Sequence, residues 1–139
     1  MTKHILYSVC LLSFGIILCL LVIADRRHFW SPSMSVEPQA VDFGDVSAAD
    51  DVHQEVVVKN TGWSPLVLER VLLSCSSCIT IHSFPKKPIP PGRQGNIVFS
   101  LGHSKRNGPM ETSFVIVSNA KPQQVAVIEV TANIHTDDQ

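Results

Sequence analysis

Between residues 52 and 73 the chain alternates apolar and polar residues, halts, and then resumes the alternation. Val52, Val56 and Val58 face one way while His53, Glu55 and Lys59 face the other. This is the pattern of a strand with one face buried, because successive side chains leave opposite sides of a sheet. Asn60-Thr61-Gly62 stops the first run, since Asn and Gly accept backbone conformations closed to most residues, and Pro65 keeps the exit extended. Leu66 and Leu68 restart the alternation. Val71, Leu73 and Cys75 continue it only if the register slips by one near Glu69-Arg70, which predicts a β-bulge there.

A pair of strands cannot bury its apolar face alone, so the rest of the chain must supply further strands. Candidates recur on both sides. Residues 35–37 and 40–43 read as a broken first strand split by Pro38, and residues 79–84, 96–101, 112–118 and 125–134 follow the central pair. Pro85, Pro88, Pro90-Pro91-Gly92, Gly108-Pro109 and Lys121-Pro122 punctuate them. No segment here shows a helical apolar period. Seven short strands in about 100 residues predict an all-β, immunoglobulin-like β-sandwich, with a barrel as the structural alternative. The domain is placed at residues 35–135, followed by a short tail at 136–139.

Ahead of it, after a tail of residues 1–4, residues 5–24 form a nearly unbroken apolar run without a charge. About 20 such residues match the hydrocarbon thickness of a bilayer, which predicts a transmembrane anchor. A cleavable signal peptide is the alternative, with Val22-Ile23-Ala24 as its cleavage motif and a secreted product. The anchor reading makes this a single-pass membrane protein with the domain outside the cytoplasm. Cys10 and Cys19 lie within the run as inert thiols, and residues 25–34 form a linker with Phe29 and Trp30 at interface depth.

From Ser31 onward eight basic residues face eleven acidic ones, a net charge of −3. Lys86-Lys87 and Lys105-Arg106 are isolated pairs, so the clustered positive charge that nucleic acid requires is missing.

Motifs in this order resemble a known family. Val41-Asp42-Phe43-Gly44-Asp45-Val46, Lys59-Asn60-Thr61-Gly62, Pro65-Leu66, Ser74-Cys75, Lys87-Pro88-Ile89-Pro90-Pro91-Gly92, Gly95-Asn96-Ile97 and Ser118-Asn119 together resemble the bacterial domain-of-unknown-function 1573 family. That family is similar to the immunoglobulin-like domains of ciliary and centrosomal Hydin-type proteins. The resemblance implies an immunoglobulin-like fold and an exported or membrane-tethered setting, and no established activity. The family usually has Cys-Gly-Cys-Thr where this chain has Cys75-Ser76-Ser77-Cys78-Ile79-Thr80, one residue wider between the thiols.

Chemistry candidates are few. Cys75 and Cys78 form a Cys-x-x-Cys among strands, where a local disulfide, a reduced pair or a metal site are the readings open. The metal reading takes Cys75, Cys78 and His82, with His103 or His53 as a fourth ligand. Asp42, Asp45, Asp50 and Asp51 cluster before the second strand as turn acids, without the spacing of a calcium loop. No Gly-x-Ser-x-Gly elbow or phosphate-binding loop is present, and no motif asks for a cofactor. Trp63 sits at a turn tip, either tucked over the sandwich end or offered to a partner. The expectation is a non-enzymatic, membrane-anchored module that binds another protein, with a metal- or redox-handling protein as the alternative.

Overall fold

The computed structural model describes residues 13–20, 30–48, 50–102 and 107–136. Its strands are β1 (Met34–Glu37), β2 (Ala40–Ser47), β3 (His53–Asn60), β4 (Leu68–Leu73), β5 (Ile79–Ser83), β6 (Gln94–Leu101), β7 (Gly108–Ser118) and β8 (Val125–His135). They form two four-stranded sheets in the orders β1-β3-β6-β5 and β2-β8-β7-β4. The all-β sandwich expected from the alternation is therefore present, with eight strands where seven were counted.

The extra strand comes from the break at Pro38. A proline has no N–H to donate, so the ladder between β1 and β3 ends with the Glu37–Val57 pair. The chain then crosses to the other sheet, where β2 runs parallel to β8 from the Ala40–Glu129 pair onward. What reads as one interrupted strand thus closes one lateral side of the sandwich by belonging to both sheets. The predicted bulge is also in place, as the β4–β7 register shifts between Leu68 and Arg70.

Inward-facing residues fill the space between the sheets. Val56, Val58, Ile97 and Phe99 come from one sheet and Phe114, Ile116, Ile128 and Val130 from the other, all of them buried. Three rings link the layers edge to face, with Phe43 5.8 Å from Phe99 and Phe99 5.0 Å from Phe114. Such contacts add to the area burial of large rings. Phe43 is only half-buried and touches a second small cluster around Val46, Met110 and Ile134.

Gly108-Pro109, expected to break the chain, instead begins β7. Leu73 pairs with Phe114, so at Pro109 no β4 residue lies alongside, and β8 is the only partner among the described strands. An edge position tolerates the missing donor.

Residues 13–20 are helical, and Phe14, Ile16, Ile17, Leu18 and Leu20 are exposed on them. Among the described residues no helix is long and apolar enough to cross a membrane. The remainder of the predicted 5–24 span lies outside the described residues, as do Cys10, His103 and the Lys105-Arg106 pair.

Candidate functional site

Most of the family motifs converge on one end of the sandwich and bind backbone there. Asn60 is fully buried. Its Nδ2 donates to the carbonyls of Ser64 at 2.8 Å and Ile89 at 2.9 Å, while its Oδ1 accepts from the Gly62 N–H at 3.0 Å. Its main chain donates to Arg93 and accepts from Gly92, both at 2.9 Å. One side chain therefore holds the Asn-Thr-Gly turn against the Pro-Pro-Gly turn. Asn119 does the same for the neighbouring loop, accepting from the Val67 N–H at 2.9 Å and donating to the Pro65 carbonyl. Residues 31–33 lie across this end. The Thr61 and Trp63 N–H groups donate to the Ser33 and Ser31 carbonyls, and the Lys121 N–H donates to the Pro32 carbonyl. A β-carbon at Gly62 would stand 2.3 Å from the Ser33 nitrogen, so this close approach requires glycine.

Trp63, on the same turn, is 60% exposed and is not tucked over the sandwich end. Trp30 is 66% exposed, and its carbonyl accepts a hydrogen bond from the Ser64 hydroxyl, which places it beside that turn.

At the opposite end of β4 lies the cysteine corner. Cys75 and Cys78 are joined by a disulfide, their Cα atoms 5.2 Å apart. While that bond is intact neither sulfur is a thiolate ligand. The Cys78 N–H donates to the Cys75 carbonyl and the Cys78 carbonyl accepts from the Gly102 N–H at 2.8 Å, which fixes the corner onto the end of β6. A β-carbon at Gly102 would fall 2.2 Å from the Ser77 carbonyl oxygen, so the corner packs directly on glycine. His82 sits elsewhere. Its Nε2 is 2.8 Å from the Ser100 hydroxyl and its ring lies 4.4 Å, centroid to centroid, from that of His53.

The four aspartates of the second-strand region do not share a centre. Asp42 accepts from Gly44 N–H and Thr131 Oγ1, and Asp50 accepts from Ser47 N–H. Asp45 accepts from Asn133 Nδ2 at 2.7 Å and lies 3.2 Å from His135 Nε2. These two partners, the Asn133 hydrogen bond first, hold its carboxyl below the ordinary aspartate value. Asp51 lies beside His53 instead.

Periodicity did not reveal the other lateral side of the sandwich. One side is closed by the crossover between β1 and β2, whereas the other ends in β4 and β5. Among the described strands nothing pairs with the outer edge of either. Between them opens a groove of about 630 Å³ whose lining includes the apolar Val71, Leu73, Ile81 and Phe84 and the polar Thr80, His82, Ser83 and Lys86. The four apolar residues are partly exposed there. On the outer face Leu72 stands exposed in register with Val115, which in turn pairs with the exposed Val127. Thus β4 offers apolar side chains on both of its faces next to an unpaired edge.

Two antiparallel-rich sheets, a first strand shared between them and a buried inter-sheet core define an immunoglobulin-like β-sandwich. The chain belongs to the family of proteins of unknown function DUF1573, whose model matches residues 34–134. No curated protein matches it in sequence. Solved structures share the fold at low identity. A protein of unknown function from Porphyromonas gingivalis W83 aligns with a TM-score of 0.66 and 16% identity, covering 76% of this chain and 48% of that one. The VesB protease of Vibrio cholerae gives 0.62 and 12%, covering 73% and 32%. The ASH/PapD-like domain 7 of human CEP192 gives 0.56 and 7%, covering 78% and 89%. The chain spans less than half the length of the first two. A protease and a PapD-like domain in one set show that the likeness describes the fold alone.

Proposed function

We propose that the chain is a non-enzymatic binding module of the bacterial envelope that holds an extended segment of a partner protein along β4. The observation that carries this is the open β4–β5 side, with an unpaired edge and an apolar groove next to it. A partner strand laid on β4 gains main-chain hydrogen bonds from the edge and seats alternate side chains in the groove against Val71 and Leu73. The β5 edge is a poorer template, because its register slips between Ile81 and Ser83 and bulges protect edges from pairing. The PapD-like architecture supports a binding role by analogy of fold only.

The module is tethered by the apolar residues 5–24, with its domain outside the cytoplasm. Two observations support this: the exposed apolar side chains of the helical residues 13–20, and the Cys75–Cys78 disulfide, a bond that persists in oxidising compartments. Trp30 and Trp63, exposed at the end where the chain enters the domain, suit the headgroup zone of a bilayer.

A photoreactive residue placed at Leu72 in the native host tests the binding role, with one at the exposed Lys59 on β3 as reference. The reading requires a discrete adduct from position 72 that is lost on Val71→Lys and absent from position 59. No adduct, or the same adducts from both positions, would sink it.

A further inference from the structure

Three metal-ligating side chains, two from the entry to β3 and one from β5, meet on the outer face of the β1-β3-β6-β5 sheet. His53 opens β3 and His82 lies in β5, with β6 between them. Strands two apart in a sheet are separated by about 9.5 Å. The two imidazoles nevertheless approach to 4.4 Å between ring centroids. The intervening strand explains how. Ser100 of β6 is the register partner of both His53 and Thr80, and its small side chain leaves room above it. Nε2 of His82 lies 2.8 Å from its hydroxyl, drawing that ring inward across the sheet. Ser100 faces outward, opposite in direction to Ile97 and Phe99, yet is only 3% exposed because the imidazoles lie over it. The register slip between Ile81 and Ser83 sets His82 at the irregular point of β5.

Asp51 completes the group from the segment entering β3, its Oδ1 3.8 Å from Nε2 of His53. One ligand atom of each residue lies within 4.8 Å of the other two. Ligands at about 2.0–2.1 Å from a tetrahedral zinc ion stand roughly 3.3 Å apart. Closing that difference takes side-chain rotation alone, which exposed residues make without moving backbone. Two imidazoles and a carboxylate are a donor set for zinc, copper(II) or nickel(II), and not for calcium or magnesium, which take oxygen ligands.

We infer that Asp51, His53 and His82 bind one divalent transition-metal ion on the outer face of this sheet. Coordination through Nδ1 of His82 keeps its Nε2 bond to Ser100, the outer-shell arrangement that orients a ligating histidine. With three protein ligands, the fourth position falls to water or to a side chain of a bound protein. The ligand set keeps His82 from the Cys75, Cys78 and His82 reading but replaces both cysteines, and although His82 also lines the groove beside β4, the inference does not require the β4 binding role.

The molecule carries its own control. His135 and Asp45 form a second exposed histidine–carboxylate pair at 3.2 Å, but among the described residues no second imidazole joins it. The test is zinc titration of the full-length chain in detergent micelles, by competition with a chromophoric chelator, with the imidazole signals followed by NMR. One zinc per chain at micromolar affinity is expected, shifting the signals of His53 and His82. His53→Ala and His82→Ala should each weaken binding at least tenfold, while His135→Ala leaves it unchanged. Circular dichroism checks that each variant is folded. Should the His82 variant unfold, Asp51→Asn decides the matter, since that side chain is 63% exposed and should also weaken binding. Millimolar affinity, indifference to these substitutions, or equal weakening by His135→Ala would overturn the site and leave the two rings as a plain imidazole stack.

Discussion

Asn60→Ala removes the side chain that ties two turns together, and its cost follows from counting the groups it leaves behind. Three hydrogen bonds vanish: two donated by Nδ2 and one accepted by Oδ1. At about 0.5–1.5 kcal/mol each, the net loss lies between roughly 1.5 and 4.5 kcal/mol. Two features narrow it. The Ile89 carbonyl keeps a second donor, the Leu66 N–H at 2.9 Å, so its loss belongs at the low end. The bonds to Ser64 and Gly62 are only part-buried, so water can replace them in part. The expected cost is about 2 kcal/mol. With a urea m-value of about 1.5 kcal/mol/M, the unfolding midpoint should fall by roughly 1.3 M. Urea unfolding of residues 30–139 reads this directly, with the fluorescence of Trp30 and Trp63, both beside the turn, reporting on it and circular dichroism on the sheets. Asn60→Asp keeps the shape but points a carboxylate at two carbonyls, which raises its pKa in the folded state above the unfolded value near 3.9. A raised pKa means stability that is present below the unfolded value and lost as pH rises through the folded one. The Asp variant should therefore recover towards wild type on acidification, while the Ala variant should not do so. A loss under about 1 kcal/mol for Asn60→Ala, or parallel pH profiles, would refute the account.

Phe43→Ala should cost about 2 kcal/mol in the same assay, below the 3–5 kcal/mol of a fully buried ring, because Phe43 is half-buried beside Phe99. The Cys75→Ser, Cys78→Ser double variant should stay folded and lose at most about 2 kcal/mol by the chain-entropy relation, since the bond closes a sequence separation of only 3. Asp45 should titrate below a free aspartate by NMR, and Asn133→Ala should raise its midpoint. Its contribution to stability is present above the unfolded pKa and lost as pH falls through the lowered one, a window at or below about pH 4. Full-length chain should remain with membranes through a carbonate wash. A soluble form beginning near Asp25 would instead establish a cleaved signal.

Which residues face inward was legible in the sequence, because a strand writes its faces as a period of two. Val56, Val58, Ile97 and Phe99 could be assigned to the core on that ground, and the slip at Glu69-Arg70 followed from the same period breaking phase. Which strands stand side by side was not legible, because pairing joins residues far apart in the chain. Nothing near Pro38 says that β1 and β2 enter different sheets, and nothing near Pro109 says that β4 ends before reaching it. His53 reads as outward-facing and is among the possible partners of His82. Their meeting over Ser100 depends on β6 lying between β3 and β5. The open β4–β5 side is invisible for the same reason, since an edge is defined by what fails to pair with it.

The division of labour within the domain follows from where the motifs sit. Asn60-Thr61-Gly62, Pro65-Leu66, Pro90-Pro91-Gly92 and Ser118-Asn119 lie together at one end, and their polar atoms are spent on backbone. A partner would find few groups there that are not already committed. Leu72 on the outer face of β4 and the Asp51, His53 and His82 group are exposed: Leu72 can change without opening the core, and so can either histidine. The motifs that place this chain in its family therefore secure the sandwich, while binding is assigned to positions those motifs leave unconstrained. Two members could share every turn described here and still bind different partners. Substitutions at the exposed Leu72 of β4 should accordingly alter binding with little effect on stability, whereas substitutions at Asn60 or Gly62 should do the reverse.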